Sequence, residues 1–412
     1  MSEQNRVESD AKQKVSWQKN LIILWCGVFL ACASYTMVVP FLPVYLMEEL
    51  KVGADTVNMW SGSVFSITFL GAAVMAPYWG ARADRVGQRR MAIRAGFGLA
   101  LCYCFAGLAQ TATQLLAVRA LTGFISGFVP ASMALVSATL PGERLGWGMG
   151  LMQTAVASGS IMGPLLGGYV SDWFGMRMSF FIAAAALGCA TVAVILYVRD
   201  IKLAPELARG GGSVIADIKV ALHNKRLLYI MFLFFLIQSC LMIIQPLLTV
   251  YVRELMHGGA SAVKAAGVIF SLAGIAGIIA APFWGKTGQR VGYTKTLCFV
   301  FLCAGLTNLG QFFVHTIWHF GFVQFVFGLF LAGAAPNVNA SLVEATDPQV
   351  RGKAFGLVTS AQQFGGVIGP LVGGFMGLFL PVRYILVFTG CVLLVAGVHI
   401  YLTKLRQGIR TR

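Results

Sequence analysis

Long apolar runs limit what this chain can become. Twelve stretches of about 18 to 25 residues, the length that crosses a hydrocarbon core as an α-helix, follow one another from residues 21–45 to residues 384–402. The runs are continuous and do not alternate every second residue. That predicts helices and not a barrel, because each lipid-exposed span must satisfy its own backbone groups. With 412 residues committed to twelve spans, nothing is left for a sizeable soluble domain. Composition agrees, at 58% hydrophobic and 11% charged, where soluble proteins are roughly a quarter charged. The predicted fold class is an all-α integral membrane protein.

The net charge of +16 raises the question of nucleic acid, and the placement of the charge answers it. With the N-terminus inside, the 31 Lys and Arg fall in the tails, in the inner connections or, for Arg94, at an inner span end. The exceptions are Lys51, Arg177, Arg253, Lys264 and Arg383 outside, and Arg119 within a span. This positive-inside pattern predicts that both termini are cytoplasmic. The basic excess is then topological, and no nucleic-acid partner is expected. The first 20 residues are polar and no small-residue cleavage site follows, so the first helix is expected to stay attached. All nine cysteines lie within expected spans, as helix-packing residues; no Cys/His spacing suggests a metal, and no cofactor is expected.

A charged connection with a Gly210, Gly211, Gly212 run divides the spans six and six. It gives an N-terminal bundle over 1–199, a cytoplasmic linker over 200–226 and a C-terminal bundle over 227–412. The two bundles echo one another. "APYWGARADRVGQRR" at 76–90 returns as "APFWGKTGQRVGYTK" at 281–295, and "GSIMGPLLGG" at 159–168 returns as "GGVIGPLVGG" at 365–374. Pro40 faces Pro246, Tyr45 faces Tyr251 and Glu48 faces Glu254, always at an offset of 205 or 206. One offset shared by several spans predicts a duplicated six-helix unit in parallel orientation, an organisation used by secondary transporters.

The first loop copy holds Gly80, Asp84, Arg85, Gly87, Gln88, Arg89 and Arg90; the second has Gln289 in place of the aspartate. Its glycines suit a tight turn between antiparallel helices, and its basic residues suit an inner membrane surface. A carboxylate there would be held by a helix N-terminus or an Arg and could fix one arrangement of two bundles. In span five Gly150, Gly159, Gly163, Pro164, Gly167 and Gly168 place three glycines at four-residue intervals, so another backbone can come close, and Pro164 bends the helix. Span eleven repeats the set as Gly356, Gly365, Gly369, Pro370, Gly373 and Gly374.

These motifs resemble the major facilitator superfamily across the whole chain. The loop departs from the family signature at Arg82 and Gln88. The glycine and proline pattern of spans five and eleven resembles the drug:proton antiporter branch, as do Pro40 with Pro43 in span one and Arg119 with Gly123 in span four. The resemblance implies two pseudo-symmetric six-helix bundles, alternating access and the proton as coupling ion. It also implies export of amphipathic or drug-like compounds across a bacterial cytoplasmic membrane, and a charge relay between Asp84 and the start of span eleven near residues 352–355.

Arg119 is the only ionised group placed well inside a span, and such a group is expected to face a cavity and serve function. No Asp or Glu lies mid-span, so the candidate proton carriers stand at span ends: Glu48, Glu254, Glu344, Asp172 and Asp84. The substrate cavity is expected near the midplane, between spans one, four, seven and ten with help from five and eleven. Its candidate wall is Tyr35, Met37, Phe41, Arg119, Phe124, Phe128, Gln153, Gln238, Gln245, Asn337, Asn339, Gln362 and Gln363, a mix of amides, aromatics and methionine that suits small molecules of varied shape. A native metabolite such as a sugar or peptide-like compound is the alternative cargo. A membrane-embedded enzyme would need clustered His, Asp, Glu or Cys within the spans, which the sequence lacks. The duplicated gating loop argues against a channel or receptor. A monomer in the lipid bilayer is expected.

Overall fold

The computed structural model describes residues 17–199, 225–257, 261–346 and 351–410; most of the connection between the two halves, 200–224, lies outside the described residues. Regular structure among the described residues is entirely helical. Ten spans are long and apolar enough to cross a membrane. The other two, Leu145–Phe174 and Arg351–Phe379, have 30 and 29 residues, about 45 Å at 1.5 Å per residue. They are spans five and eleven, and they are less apolar because their glycine faces meet other helices and not lipid.

Four spans are broken, and they are the first, fourth, seventh and tenth. Span one runs as Trp17–Met37 and Leu42–Glu48, and span seven as Lys225–Ile244 and Leu248–Leu255. Pro40 and Pro246 sit in these breaks, where a residue without an N–H cannot continue the ladder. Span four divides into Ala112–Ile125 and Phe128–Thr139 at Gly127, whose φ of 134° belongs to glycine. Span ten divides into Ile317–Leu331 and Ala334–Ala345. Spans two, three, six, eight, nine and twelve are single helices: Val57–Val86, Gln88–Leu108, Met176–Tyr197, Ala262–Val291, Tyr293–Gly310 and Val382–Arg410. Gly87 and Gly292 each join a second helix to a third in one residue, at φ of 100° and 103°.

The buried apolar side chains form one cluster within residues 21–198 and two within residues 227–400. Each glycine-rich helix presses one face on a broken span of its own half. A Cβ on Gly159 would stand 2.5 Å from the Phe29 carbonyl, and one on Gly167 would run into the Met37 carbonyl. In the second half Gly365, Gly369 and Gly373 meet the backbone of Phe235, Ser239 and Ile243 in the same way. The absence of a Cβ therefore sets the interaxial distance.

A second face of the same helices meets the opposite half. Gly267 of span eight lies against the Pro164 carbonyl and Gly168, and Gly62 of span two lies against the Pro370 carbonyl and Gly374. Ser271 Oγ donates to the Ile161 carbonyl at 2.7 Å, Ser66 Oγ to the Val367 carbonyl at 2.6 Å, and Asn58 Nδ2 to the Gly377 carbonyl at 2.8 Å. Arg253 and Glu48 pair across the halves at 3.2 Å. All of these contacts lie toward the face opposite the termini. Toward the terminal face, Gly80, Gly150, Gly285 and Gly356 have no neighbour within 4 Å of a Cβ position. Among the described residues the two halves are thus joined at one face and parted at the other.

Candidate functional site

Between the parted ends lies a cavity of about 1050 Å³. Spans one to four supply most of its wall, and span eleven supplies Gly356, Thr359, Ser360, Gln363 and Phe364. Tyr35, Thr68, Tyr103 and Thr122 stand toward its closed end; Trp79, Gly80, Gln88 and Arg94 stand toward its mouth. Among the described residues the wall holds one formal charge, Arg94, and no carboxylate.

Arg119 sits behind this wall. It is 5% exposed, and its Nε and Nη2 have no hydrogen-bond acceptor. Its guanidinium carbon lies 5.9 Å from the Tyr103 ring centre and 5.8 Å from that of Phe180, at the edge of cation–π range. Thr68, two residues on from the cross-half bond of Ser66, donates to the Arg119 backbone carbonyl at 3.3 Å. A buried guanidinium with unmet donors is held by its surroundings at a cost of about 1–3 kcal/mol per orphaned group.

Arg94 lies near the inner end of span three, as expected, but there it is a wall residue: it stacks on Trp79, with the guanidinium carbon 3.5 Å from the ring centre. It donates from Nη2 to the Ser126 carbonyl at 3.4 Å, in the break of span four, while Nε and Nη1 have no acceptor. Trp79 Nε1 in turn donates to the Phe124 carbonyl at 2.7 Å.

The other candidates divide. Tyr35, Phe128 and Gln363 line the cavity. Met37 and Phe41 are buried in the break of span one, Phe41 edge-on to Phe180 at 5.4 Å, so they support the wall and do not line it. Asn337 is fully buried and caps the break of span ten, donating to the Gly333 carbonyl at 2.7 Å and the Trp284 carbonyl at 3.3 Å; packing claims this amide, not solute. Phe124 is 44% exposed and contributes its carbonyl to Trp79. Gln153 is exposed, and Gln238, Gln245, Asn339 and Gln362 are half-buried; none of these five is in the cavity wall.

Of the carboxylates, Glu48, Asp172, Glu254 and Glu344 are exposed, and Glu48 alone of these pairs across the halves. Glu49, beside it, pairs with Arg177 at 2.8 Å within the first half. The Asp84 side chain lies outside the described residues, as do residues 347–350 and the side chains at 351–353. Of its loop, Gly80 lines the cavity, Gly87 makes the turn, Arg89 Nη2 donates to the Ile195 carbonyl at 2.6 Å, and Arg85 and Arg90 are exposed.

Comparison with known proteins agrees with this architecture. Residues 24–285 and 260–410 match the Major Facilitator Superfamily. Multidrug resistance protein MdtG of Yersinia enterocolitica is 36% identical over 408 residues, 98% of this chain and 97% of that protein. The MdtG of Escherichia fergusonii is 35% identical over 387 residues, 94% of each. Among solved structures, the nucleoside transporter NupG is similar at TM-score 0.76 and 16% identity, over 93% of this chain and 99% of that one. A bacterial homolog of the human lysosomal transporter Spinster, in an inward-facing and unoccupied conformation, is similar at TM-score 0.75 and 13% identity, over 96% and 98%. At such identities the two structures speak to fold alone, while the sequence match runs nearly end to end: this chain belongs to the Major Facilitator Superfamily.

Proposed function

We propose that the chain exports amphipathic or drug-like compounds across a bacterial cytoplasmic membrane in exchange for protons, with both termini in the cytoplasm. The observation that carries this reading is the largely apolar cavity, open toward the terminal face and sealed at the other by backbone-close contacts between halves. Aromatic and aliphatic walls with scattered hydroxyls and two amides, Gln88 and Gln363, suit solutes of varied shape. With the termini inside, the cavity takes solute from the cytoplasm. Parting of the Glu48–Arg253 pair and the glycine contacts, with closure at Gly80, Gly150, Gly285 and Gly356, would release it outside. The drug-resistance function in the names of the full-length relatives supports the same cargo.

The proton must bias one arrangement over the other. Glu48 is suited to this, because protonation removes its attraction for Arg253 in the opposite half. Asp84 is suited to the reverse task at the terminal face, where Gln289 replaces it in the second half. The test is efflux from dye-loaded cells with and without an uncoupler. Export is expected to fall at least about tenfold when the proton gradient collapses, and export of every dye continuing unchanged refutes the coupling.

A further inference from the structure

We infer that Arg94 is the anion-recognition group of the cavity, placed to hold a carboxylate, sulfonate or phosphonate on an otherwise apolar solute; this rests on the exporter reading above. The duplication supplies the comparison. Trp79 and Trp284 are equivalent, and each spends its indole N–H on a carbonyl of the broken span beside it, Phe124 at 2.7 Å and Leu329 at 2.8 Å, again 205 residues apart. The residue packed on the ring is Arg94 in the first half, and its equivalent in the second is Phe299, with ring centres 5.8 Å apart. A phenyl ring therefore suffices to pack the indole, and the guanidinium is not there for packing.

As a structural donor Arg94 is poorly used. Its bond to Ser126 is long at 3.4 Å, and Nε and Nη1, both buried in the wall, have no acceptor. It lines the cavity beside Gly127, where the second piece of span four begins, so that helix N-terminus borders the cavity. An anion is favoured there by both the fixed guanidinium and the helix dipole. No carboxylate among the described wall residues competes for it. Stacking on Trp79 also restrains the fork, so less freedom is lost when a planar acid group binds.

The test uses one fluorophore with and without its charge, 8-anilinonaphthalene-1-sulfonate and neutral N-phenyl-1-naphthylamine. Each is titrated against the full-length protein in phosphatidylcholine nanodiscs, with empty discs subtracted. Arg94→Phe, which copies the second half, is expected to weaken the sulfonate by about tenfold, the worth of one charge-assisted hydrogen bond. The neutral probe should change by less than about twofold, and Arg94→Lys should fall between for the sulfonate. Equal losses for both probes, or none for either, overturn the inference. If Arg94→Phe does not fold, Arg94→Lys decides: it must weaken the sulfonate more than the neutral probe, or the inference fails. Wild-type protein that binds the neutral probe but not the sulfonate sinks the inference and leaves the exporter reading standing, whereas binding of neither sinks both. In discs containing phosphatidylglycerol, loss of sulfonate binding from wild type but not from Arg94→Phe would assign the anion to a lipid headgroup and overturn the substrate assignment.

Discussion

Arg119 is a buried charge without the acceptors that usually justify one. Its unmet Nε and Nη2 mean that the first half gives up stability to keep it, since replacing such a group with an apolar one of similar bulk is often neutral or favourable. Function and stability should therefore separate. Arg119→Leu is expected to unfold at or above the wild-type temperature while efflux falls at least about tenfold. Paired thermal-unfolding and vesicle-efflux measurements check this, and a variant that loses stability and activity together would make Arg119 a structural residue. Arg119 was legible in the sequence because it is the one ionised group that the expected span, residues 115–138, holds well inside. Arg94 was not. It follows Arg89 and Arg90 by one helical turn, so a boundary drawn by charge reads all three as one interfacial cluster. Its mismatch with Phe299 at the repeat offset was the available signal. The amides failed differently: Asn337 looks like a solute ligand in sequence, but a broken helix leaves carbonyls that need a donor, and it supplies one.

At the scale of the element, spans five and eleven explain why glycine recurs every four residues and why the set continues past the proline. One face admits a neighbouring backbone within the half, the other lets Pro164 and Pro370 present carbonyls to the opposite half, and Gly150 and Gly356 stand free. Substitution should follow that division. Gly167→Val forces a branched side chain into the Met37 carbonyl and is expected to destabilise by about 1–3 kcal/mol or more, the usual cost of overpacking. Gly150→Ala meets nothing and should leave unfolding unchanged or slightly raised. Thermal unfolding of the two variants decides it, and equal effects would contradict the packing described here. The helices themselves and their number followed from the sequence, because apolar length acts locally; the breaks at Pro40 and Pro246 did not, because an apolar run stays continuous in sequence where the helix inside it is interrupted. Which face of each glycine helix meets which partner did not, because that depends on how the two halves meet in space.

For the whole molecule, the duplication gives two similar bundles, and the differences between them carry the directional information. Arg94 against Phe299, and Asp84 against Gln289, put charge in the first half where the second has none. Among the described residues, the polar contacts between the halves at the sealed face are two hydroxyls, one amide, Lys264 over the Tyr169 ring at 4.5 Å and one exposed ion pair, the last worth about 0.2–1 kcal/mol. Such a seam can open when a proton or solute shifts the balance by a few kcal/mol. Locking the seam shut is the direct test. The Cβ of Asn58 lies 2.9 Å from where a Cβ at residue 377 would stand, within reach of a disulfide after a small shift. None of the nine native cysteines is in a disulfide, and all can be replaced first. Asn58→Cys with Gly377→Cys, oxidised, is expected to bind dye from the terminal face and export none, with export restored by reductant. Export by the cross-linked protein at the rate of its reduced form would contradict alternating access through this seam.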